Sequence, residues 1–320
     1  MKVCLMIEGQ EGVSWDEWVA LALACDEHGF DALFRSDHYL SFGRPTERGS
    51  LDAWATLAAL TGRTDRVRLG TLVSPITFRH PSELAKSVVT ADHASGGRVE
   101  LGMGAGWFEP EHRAYGFPFP PADERFDMLE EQVEIVHRLW DRDEDEVRFE
   151  GRHYRLEECH ALPKPLQDPH PPLILGGGAG PRAAKLAARW ADEYNVNLVT
   201  PEECRGARER LSRACEDIGR DPAELPLSLM TGTVIGADPA DLEKHASRLM
   251  ERRGETGDPA AFLKGLGPMR IVGTSDRVVA RLGEYAEAGV ERVMMQHLVH
   301  DDLETVALIG SEVIPEASAL

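Results

Sequence analysis

Residues 67–106, VRLGTLVSPITFRHPSELAKSVVTADHASGGRVELGMGAG, contain the pattern that decides the fold. The stretch opens with the short apolar run VRLGTLV and closes with a second one, RVELGMGAG, both typical of buried strands. Between the two runs, residues 82–94 have the apolar spacing of a helix. Because parallel strands need a crossover, which is usually helical, these residues predict a strand–helix–strand unit of a parallel sheet.

The same alternation extends over the whole chain of 320 residues. Runs that predict strands stand at 2–7, 30–35, 67–73, 98–106, 171–178, 193–199, 225–236 and 290–298, and helical patterns separate most of them. Eight such units without a break in composition predict one (β/α)8 barrel domain over residues 1–320, with a doubly wound open sheet as the competing architecture. The rhythm is interrupted between strands four and five, where a proline-rich loop and the hairpin-like VRFEGRHYRL predict an insertion at about 107–170.

Composition excludes several classes of partner. With 35 basic and 55 acidic residues the formal charge is -20, which repels nucleic acid and anionic lipid. The five cysteines form no CxxC pair, and no metal-ligand spacing is present, so we expect reduced thiols, no metal and a cytoplasmic location. No apolar run approaches the length of a membrane span, and the charged stretch ERRGETGDP is interpreted as solvated surface.

The polar residues that follow strand two are the first candidates for chemistry. Asp37 and His38 come directly after FDALFR, and catalytic groups of such barrels lie at the carboxyl ends of the strands. A histidine there is suited to acid–base work, with Asp37 able to orient it. The alternative is a hydrogen-bonded turn histidine. For Arg79 and His80 a structural helix start is favoured over anion binding.

Glycine-rich turns follow strands four and five. Gly176, Gly177, Gly178 and Gly180 precede a helix, where free amides and the helix N-terminus can hold a phosphate; a plain flexible turn is the alternative. Trp107 and Phe108 follow the other turn and are suited either to contact an aromatic ligand or to pack in the core.

Five longer stretches resemble the luciferase-like monooxygenase superfamily, and within it the oxidoreductases dependent on the deazaflavin coenzyme F420. They are GFDALFRSDHYL, the segment from RVRLGTLV to GFPFPP, ERFDMLEEQVEIVHRLW, FEGRHYRLEECHALPKPLQ and PPLILGGGAGPRAAKLAARWADEYNV. The most specific signal is GRVELGMGAGWFEPEHRAYG, residues 97–116. The resemblance covers nearly the whole chain and implies a (β/α)8 barrel with the deazaflavin at its carboxyl-end mouth.

The resemblance also implies roles for individual residues. His38 lies close to the reactive ring carbon, with Asp37 beside the cofactor. Leu72 and Val73 are joined by a non-proline cis peptide behind the ring. Ala105 and Gly106 border the ring, and Gly176, Gly177, Gly178 and Gly180 form the phosphate turn.

One position departs from the pattern of the sugar-phosphate dehydrogenases of this group. Trp107 stands where they carry a glutamate acid, which makes that particular reaction doubtful and leaves proton transfer to His38, Glu109, Glu111 or solvent. Trp107 and Glu109 therefore join His38 as candidate active-site residues.

The expected function is hydride exchange between coenzyme F420 and a small organic substrate. Reduced-FMN-dependent monooxygenation is the alternative, since both cofactors share ring shape and phosphate turn, and a non-catalytic flavin- or metabolite-binding barrel is the second. Members of the superfamily often form dimers, so a homodimer is possible as well.

Overall fold

The computed structural model describes residues 1–44 and 46–320. In chain order the strands are β1 (Lys2–Ile7), β2 (Ala32–Arg35), β3 (Arg68–Thr71), β4 (Ser74–Pro75), β5 (Val99–Gly104), β6 (Val147–Glu150), β7 (Arg155–Cys159), β8 (Leu173–Gly176), β9 (Glu193–Asn197), β10 (Leu227–Gly236), β11 (Ile271–Thr274) and β12 (Val290–Gln296). The helices are α1 (Trp15–Glu27), α2 (Ala53–Leu60), α3 (Pro81–Ser95), α4 (Glu109–Tyr115), α5 (Ala122–Trp140), α6 (Pro181–Trp190), α7 (Pro201–Glu216), α8 (Pro239–Arg253), α9 (Pro259–Gly265), α10 (Ser275–Glu287), α11 (Leu303–Leu308) and α12 (Ile314–Ala317).

Eight parallel strands close into a barrel in the order β1, β2, β3, β5, β8, β9, β10, β12, with β12 pairing back to β1. The short β4 pairs with the end of β5, and β11 pairs with the carboxyl half of β10. The predicted (β/α)8 barrel is confirmed, and the open sheet is excluded because β9 also pairs with β10.

Local sequence sets where the barrel helices begin. Helices α1 and α7 begin after Ser14 and Thr200, each of which forms a capping box. In each box the hydroxyl oxygen accepts a hydrogen bond from the backbone amide of the glutamate three residues later. Pro81 occupies the first turn of α3, where its missing amide hydrogen costs nothing, and His80 caps that helix by accepting the amide of Ser82. The structural interpretation of His80 is thereby confirmed.

Two apolar layers hold the barrel. The larger fills the space between strands and surrounding helices and includes the fully buried Trp18, Trp140 and Tyr285. The smaller lies among side chains of the barrel strands and consists of Cys4, Met6, Ala32, Phe34, Leu72, Ile174 and Met294. Near the amino ends of the strands, Arg292 binds Glu100 and Glu193 and lines a cleft of about 880 Å³, whereas a second cavity, of about 910 Å³, lies at the carboxyl ends.

Some elements lie outside the barrel repeat. Between β5 and β8, α5 is the crossover helix of the repeat and packs against α3 and α6, whereas α4 and the antiparallel hairpin β6–β7, a sheet of its own, are additional. The segment that follows the polar stretch after α8 forms α9 and β11, neither of which the sequence predicted. Among the described residues no helix combines the length and the apolar character needed to cross a membrane.

Candidate active site

A cavity of about 910 Å³ opens at the carboxyl ends of the barrel strands. Its wall includes residues that follow β2, β5 and β8, among them His38, Trp107 and Gly177. The size is in the range of small-molecule and cofactor sites, and its position is where barrel enzymes carry their active sites.

His38 is held by a carboxylate from a distant part of the chain. Its Nδ1 lies 2.6 Å from Oε1 of Glu111, whose side chain is only 1% exposed. Oε2 of Glu111 accepts the backbone amide of Tyr39 at 3.1 Å. An ionised carboxylate only accepts hydrogen bonds, so Nδ1 carries a hydrogen and Nε2 is the nitrogen available for proton transfer.

Helix α4 places Glu111 beside the strand end. The neighbouring His112 fixes this helix: its Nε2 lies 2.6 Å from Oγ1 of Thr77, and its Nδ1 lies 2.8 Å from the carbonyl oxygen of Phe108. Glu109, at the first turn of the same helix, is exposed and outside the cavity lining. The structure thus brings Glu111, and not Glu109, to His38.

Asp37 has a different role from the one expected. Its carboxylate accepts hydrogen bonds from Arg79 at 2.5 Å and from Oγ of Ser74 at 2.8 Å, and it is buried behind the cavity wall. The prediction that Asp37 orients His38 is wrong, because Arg79 draws the carboxylate away and Glu111 takes that place. Arg79 also binds Asp52 at 2.7 Å, so the structural interpretation of Arg79 is confirmed.

The charged groups around Asp37 also determine the protonation state of the neighbouring Tyr39. Burial raises the pKa of Tyr39, as do the carboxylates of Asp37 and Asp52, and these effects outweigh the opposing effect of Arg79. The phenol therefore stays protonated and donates to Asp52 at 2.8 Å. The hydrogen bonds of Asp37 and Tyr39, one on each side of His38, thereby hold the loop that carries the histidine.

Aromatic rings surround His38 on the cavity side. The ring centroids of Phe42, Trp107 and Phe108 lie 4.9, 5.9 and 6.3 Å from that of His38. Trp107 is 64% exposed at the mouth, so it belongs to the cavity wall and not to the core. Such a wall is suited to contact apolar or aromatic groups.

The segment from β3 to β4 forms one side of the cavity. The peptide between Leu72 and Val73 is cis, as the resemblance implied, and both residues line the cavity. Glycines of β5 give this segment room: a Cβ on Gly102 would lie 2.2 Å from the carbonyl oxygen of Thr71, and one on Gly104 would lie 2.6 Å from Cγ2 of Val73. The alternating glycines in LGMGAG are therefore required by the close approach of β3.

Both glycine turns contribute residues to the cavity wall. Ala105, Gly106, Gly176 and Gly177 line it, whereas Gly178 and Gly180 do not. Gly177 has φ of 149°, which side-chain-bearing residues rarely adopt. Its amide donates to the carbonyl of Asn195 at 3.0 Å, and the amide of Ala179 donates to Tyr194 Oη at 3.0 Å, so neither amide is available to a ligand. The amides of the first turn of α6 have no side-chain cap.

Sequence reasoning missed a set of arginines in the cavity wall. The set consists of Arg44, Arg48, Arg252, Arg253 and Arg270. The interpretation of ERRGETGDP as solvated surface is wrong for Arg252 and Arg253, because the end of α8 faces the mouth. The sequence signal, two adjacent arginines at a helix end, is common at surfaces and does not by itself indicate a cavity.

Sequence comparisons relate this chain to known enzymes. Residues 2–292 match the model of the family described as luciferase-like monooxygenase. A protein of Nakamurella multipartita named F420-dependent glucose-6-phosphate dehydrogenase is 29% identical over 95% of this chain and 93% of its own. The protein of that name from Amycolatopsis mediterranei is also 29% identical, over 94% of each chain.

Solved structures share the fold at lower identity. A monooxygenase from Streptomyces bottropensis superimposes with a TM-score of 0.82 at 24% identity, covering 98% of this chain and 99% of its own. An F420-dependent secondary alcohol dehydrogenase gives a TM-score of 0.81 at 21% identity, covering 99% of this chain and 98% of its own. The family match spans nearly the whole chain and includes the segments that carry His38, Glu111 and the glycine turns, so the chain belongs to the luciferase-like monooxygenase family.

Proposed function

We propose that the protein is an oxidoreductase that exchanges hydride between coenzyme F420 and a small organic substrate. The observation that carries the proposal is the pair of His38 and Glu111, set in the cavity wall together with Leu72 and Val73. The relatives from Nakamurella and Amycolatopsis, both named as F420-dependent dehydrogenases, support the choice of cofactor.

The cavity fits a flavin-like cofactor in two respects. Gly102, Gly104 and Gly176 leave room for the backbone of Thr71 and the side chain of Val73, so that Leu72 and Val73 form an apolar part of the cavity wall. The start of α6, which follows the cavity residue Gly177 by four positions, has no side-chain cap, and such a helix end attracts phosphate.

When bound, the coenzyme supplies a ring carbon that takes up or releases hydride, and the protein has to move the accompanying proton. His38 can accept that proton at Nε2 when an alcohol is oxidised and return it in the reverse reaction. Within the described residues, Nε2 of His38 has no hydrogen-bond partner, so a substrate hydroxyl or carbonyl has access to it.

Glu111 supports this transfer without touching the substrate. Its carboxylate fixes the Nδ1–H tautomer and stabilises the imidazolium that forms when Nε2 takes a proton. Phe42 and Trp107 restrict water on the open side of the imidazole. Trp107 has no titratable proton near neutral pH, so in this chain His38 is the group that carries the proton.

The test is to measure affinity of the purified protein for coenzyme F420 and for FMN by fluorescence quenching. We expect F420 to bind at least about tenfold more tightly, a difference of about 1.4 kcal/mol. Tighter binding of FMN would replace the proposal with flavin-dependent monooxygenation. Tight binding of F420 without turnover of any alcohol, carbonyl or imine would favour the non-catalytic barrel.

The glycine turn gives a variant for the same assay. In Gly177→Val, φ of 149° is strained and the new Cβ lies 3.3 Å from Tyr194 Oη, so the turn must shift. We expect weaker binding of F420 in a protein that keeps its fold by circular dichroism. Unchanged affinity would mean that the phosphate is bound elsewhere.

A further inference from the structure

A buried histidine outside the proposed reaction centre joins two segments of the cavity wall. His245 lies in α8, and Asp302 lies in the loop after β12, where it also caps α11. Both side chains are buried. One turn beyond His245, Leu249 lines the candidate active-site cavity, and Leu298 lines the same cavity from the loop after β12. A contact between His245 and Asp302 therefore connects two segments that shape the mouth.

Both ring nitrogens of His245 face a carboxylate. Nδ1 lies 2.6 Å from Oδ2 of Asp302, and Nε2 lies 3.3 Å from Oδ1 of Asp241 on the preceding turn of α8. An ionised carboxylate only accepts hydrogen bonds, so both contacts are satisfied only when both nitrogens carry a hydrogen. The geometry therefore fits the imidazolium, because a neutral ring would present a lone pair to one of the two carboxylates.

Asp302 is held to α8 by a second cation as well. Arg248 lies 3.2 Å from Oδ2 of Asp302, and the hydroxyl of Thr305 donates to the same oxygen at 3.0 Å. Burial would raise the pKa of Asp302, but the hydrogen bond from His245 and its charge outweigh burial and lower the pKa. Asp302 is therefore an ionised partner for the imidazolium.

The pKa of His245 rises in return. The hydrogen bond to Asp302 raises it from the usual 6.5, and the charges of Asp302 and Asp241 act in the same direction, against burial and the charge of Lys244. Lys244 is exposed and binds Glu304 on α11 at 3.0 Å. His245 thus keeps its proton at pH 6.5 and releases it at a higher pH.

A small cavity lies between this pair and the candidate active site. Its volume of about 30 Å³ is enough for a water molecule, and Leu249 and Leu298 both line it. The other titratable groups in its wall are His297, Arg253 and Arg270, and burial lowers the pKa of His297 to about 4. Within the described residues, β10 contributes no charged side chain to this wall. Because apolar packing between the two segments is incomplete here, the charged contact carries more of the connection.

We propose that His245 is a positioning residue whose imidazolium clamps α8 to the loop after β12, so that loss of its proton at alkaline pH loosens the mouth and weakens ligand binding in the cavity. The clamp itself does not depend on the proposed function; its effect on coenzyme F420 does.

Raising the pH releases the clamp. A raised folded-state pKa means that the stabilisation is complete below the unfolded value of 6.5 and is lost as the pH rises through the folded value. The neutral ring can then donate to only one of Asp241 and Asp302. We expect the end of α8, with Leu249, to move more freely against Leu298 in that state.

The experiment compares the protein at pH 6.5 and at about pH 9.5, which stays below the titration of lysine. Nitrogen chemical shifts of His245 by NMR report its protonation. Hydrogen exchange, corrected for the intrinsic effect of pH, reports the opening of α8 and of residues 297–302, and fluorescence quenching reports affinity for F420. The variants are His245→Gln and Asp302→Asn, since asparagine caps a helix as well as aspartate does. The control is His160→Gln, because His160 lies 3.7 Å from Glu146 but is 60% exposed and outside the cavity lining.

We expect His245 to carry both protons at pH 6.5 and to lose one toward the higher pH. In the parent and the control, exchange in the last two turns of α8 and in residues 297–302 should rise at least about tenfold, the scale of losing a hydrogen bond between charged groups, and F420 affinity should fall. His245→Gln should exchange fast at both pH values, and its F420 affinity should depend less on pH. In Asp302→Asn the imidazole should lose its proton at a lower pH than in the parent.

Three results would overturn the proposal. The first is a neutral His245 at pH 6.5, and the second is an equal pH dependence of exchange in the parent and in His245→Gln. The third is a constant F420 affinity of the parent while exchange rises, since the clamp would then not reach the mouth. If F420 does not bind at any pH, the proposed function fails, while the NMR titration and the exchange rates still decide whether the clamp exists.

Discussion

His38 is the residue whose replacement tests the reaction centre most directly. It lines the cavity, and within the described residues its side chain makes no hydrogen bond other than the one with Glu111. General acid–base catalysis contributes about a hundred- to ten-thousand-fold to rates, so His38→Ala should lower single-turnover rates with F420 by at least about a hundredfold. Its affinity for F420 should change little. Near-normal turnover with a lowered melting temperature would identify His38 as a structural turn residue instead.

Glu111 and Glu109 form a natural comparison, since both lie on α4 and only one contacts His38. Glu111→Gln keeps an acceptor for Nδ1–H but removes the charge that stabilises the imidazolium, so turnover should fall clearly while F420 affinity is retained. Nitrogen chemical shifts of His38 by NMR should still report the Nδ1–H tautomer. Glu109→Gln should behave like the parent, and the reverse order of effects would return the acid role to Glu109.

At the scale of single residues, the sequence predicted a role for His38 but not its pairing with Glu111. His38 was found because strand ends carry catalytic groups in barrels, which is a local signal. Its partner lies 73 residues away, and Asp37, adjacent in sequence, looked equally suitable. Only the position of Arg79 decides between the two carboxylates, because its guanidinium binds Asp37 and leaves Glu111 for the imidazole.

Among the elements, the contact of β3 with β5 depends on Gly102. A Cβ there would meet the backbone oxygen of Thr71 at 2.2 Å, and backbone cannot yield as a flexible side chain can. We therefore expect Gly102→Ala to destabilise the protein by about 1–3 kcal/mol or more and to weaken F420 binding, because the displaced segment leads to Leu72 and Val73. Urea unfolding and fluorescence quenching measure the two effects.

Gly62→Ala is the matched control, since a Cβ on Gly62 would meet nothing within 4 Å. It should leave both stability and F420 affinity close to those of the parent. If Gly102→Ala is as harmless as the control, β3 can move away from β5 freely, and the segment of Leu72 and Val73 is not a rigid part of the cavity.

The apolar patterns of the sequence predicted some of the helices and strands and not others. The eight barrel strands were predictable because each is an apolar run followed by a helical period. The short α9 and β11 were not, because α9 has only seven residues and β11 only four, and both follow the polar stretch after α8. The place of β11 is set by pairing with the carboxyl half of β10, and α9 packs against α8. The same segment supplies Arg270. Because the sequence did not predict these elements, it also did not predict this residue of the cavity wall.

For the molecule as a whole, a network of charges ties strands together at the end opposite the cavity. Arg292 of β12 binds Glu100 of β5 at 2.7 Å, Glu193 of β9 at 3.0 Å and Asp31 at 2.7 Å, and Arg68 of β3 also binds Glu100. Such features at the amino ends of barrel strands serve stability. The candidate active site and this charge network thus lie at opposite ends of the same strands.

Replacing Arg292 tests this division. Arg292→Met leaves Glu100 and Glu193 buried with less compensation, which typically costs about 3–5 kcal/mol in the free energy of unfolding. Affinity for F420 should be unaffected in the folded fraction. The control is Arg148→Met, since Arg148 has two carboxylate partners at 2.7 and 2.9 Å but is 63% exposed, and exposed pairs contribute about 0–1 kcal/mol.

The pH dependence of the same variant is a sharper test. Burial alone would raise the pKa of Glu100, but Arg292 and Arg68 outweigh it and lower the pKa from 4.5 to about 2. A lowered folded-state pKa means that this stabilisation is complete above the unfolded pKa and is lost as the pH falls toward 2. The stability gap between the parent and Arg292→Met should therefore be widest near neutral pH and narrow as the pH falls below about 4.5, since a protonated Glu100 needs no cation. Urea unfolding across this range measures the gap, and a gap that stays constant with pH would show that Arg292 stabilises the barrel by packing and not by charge.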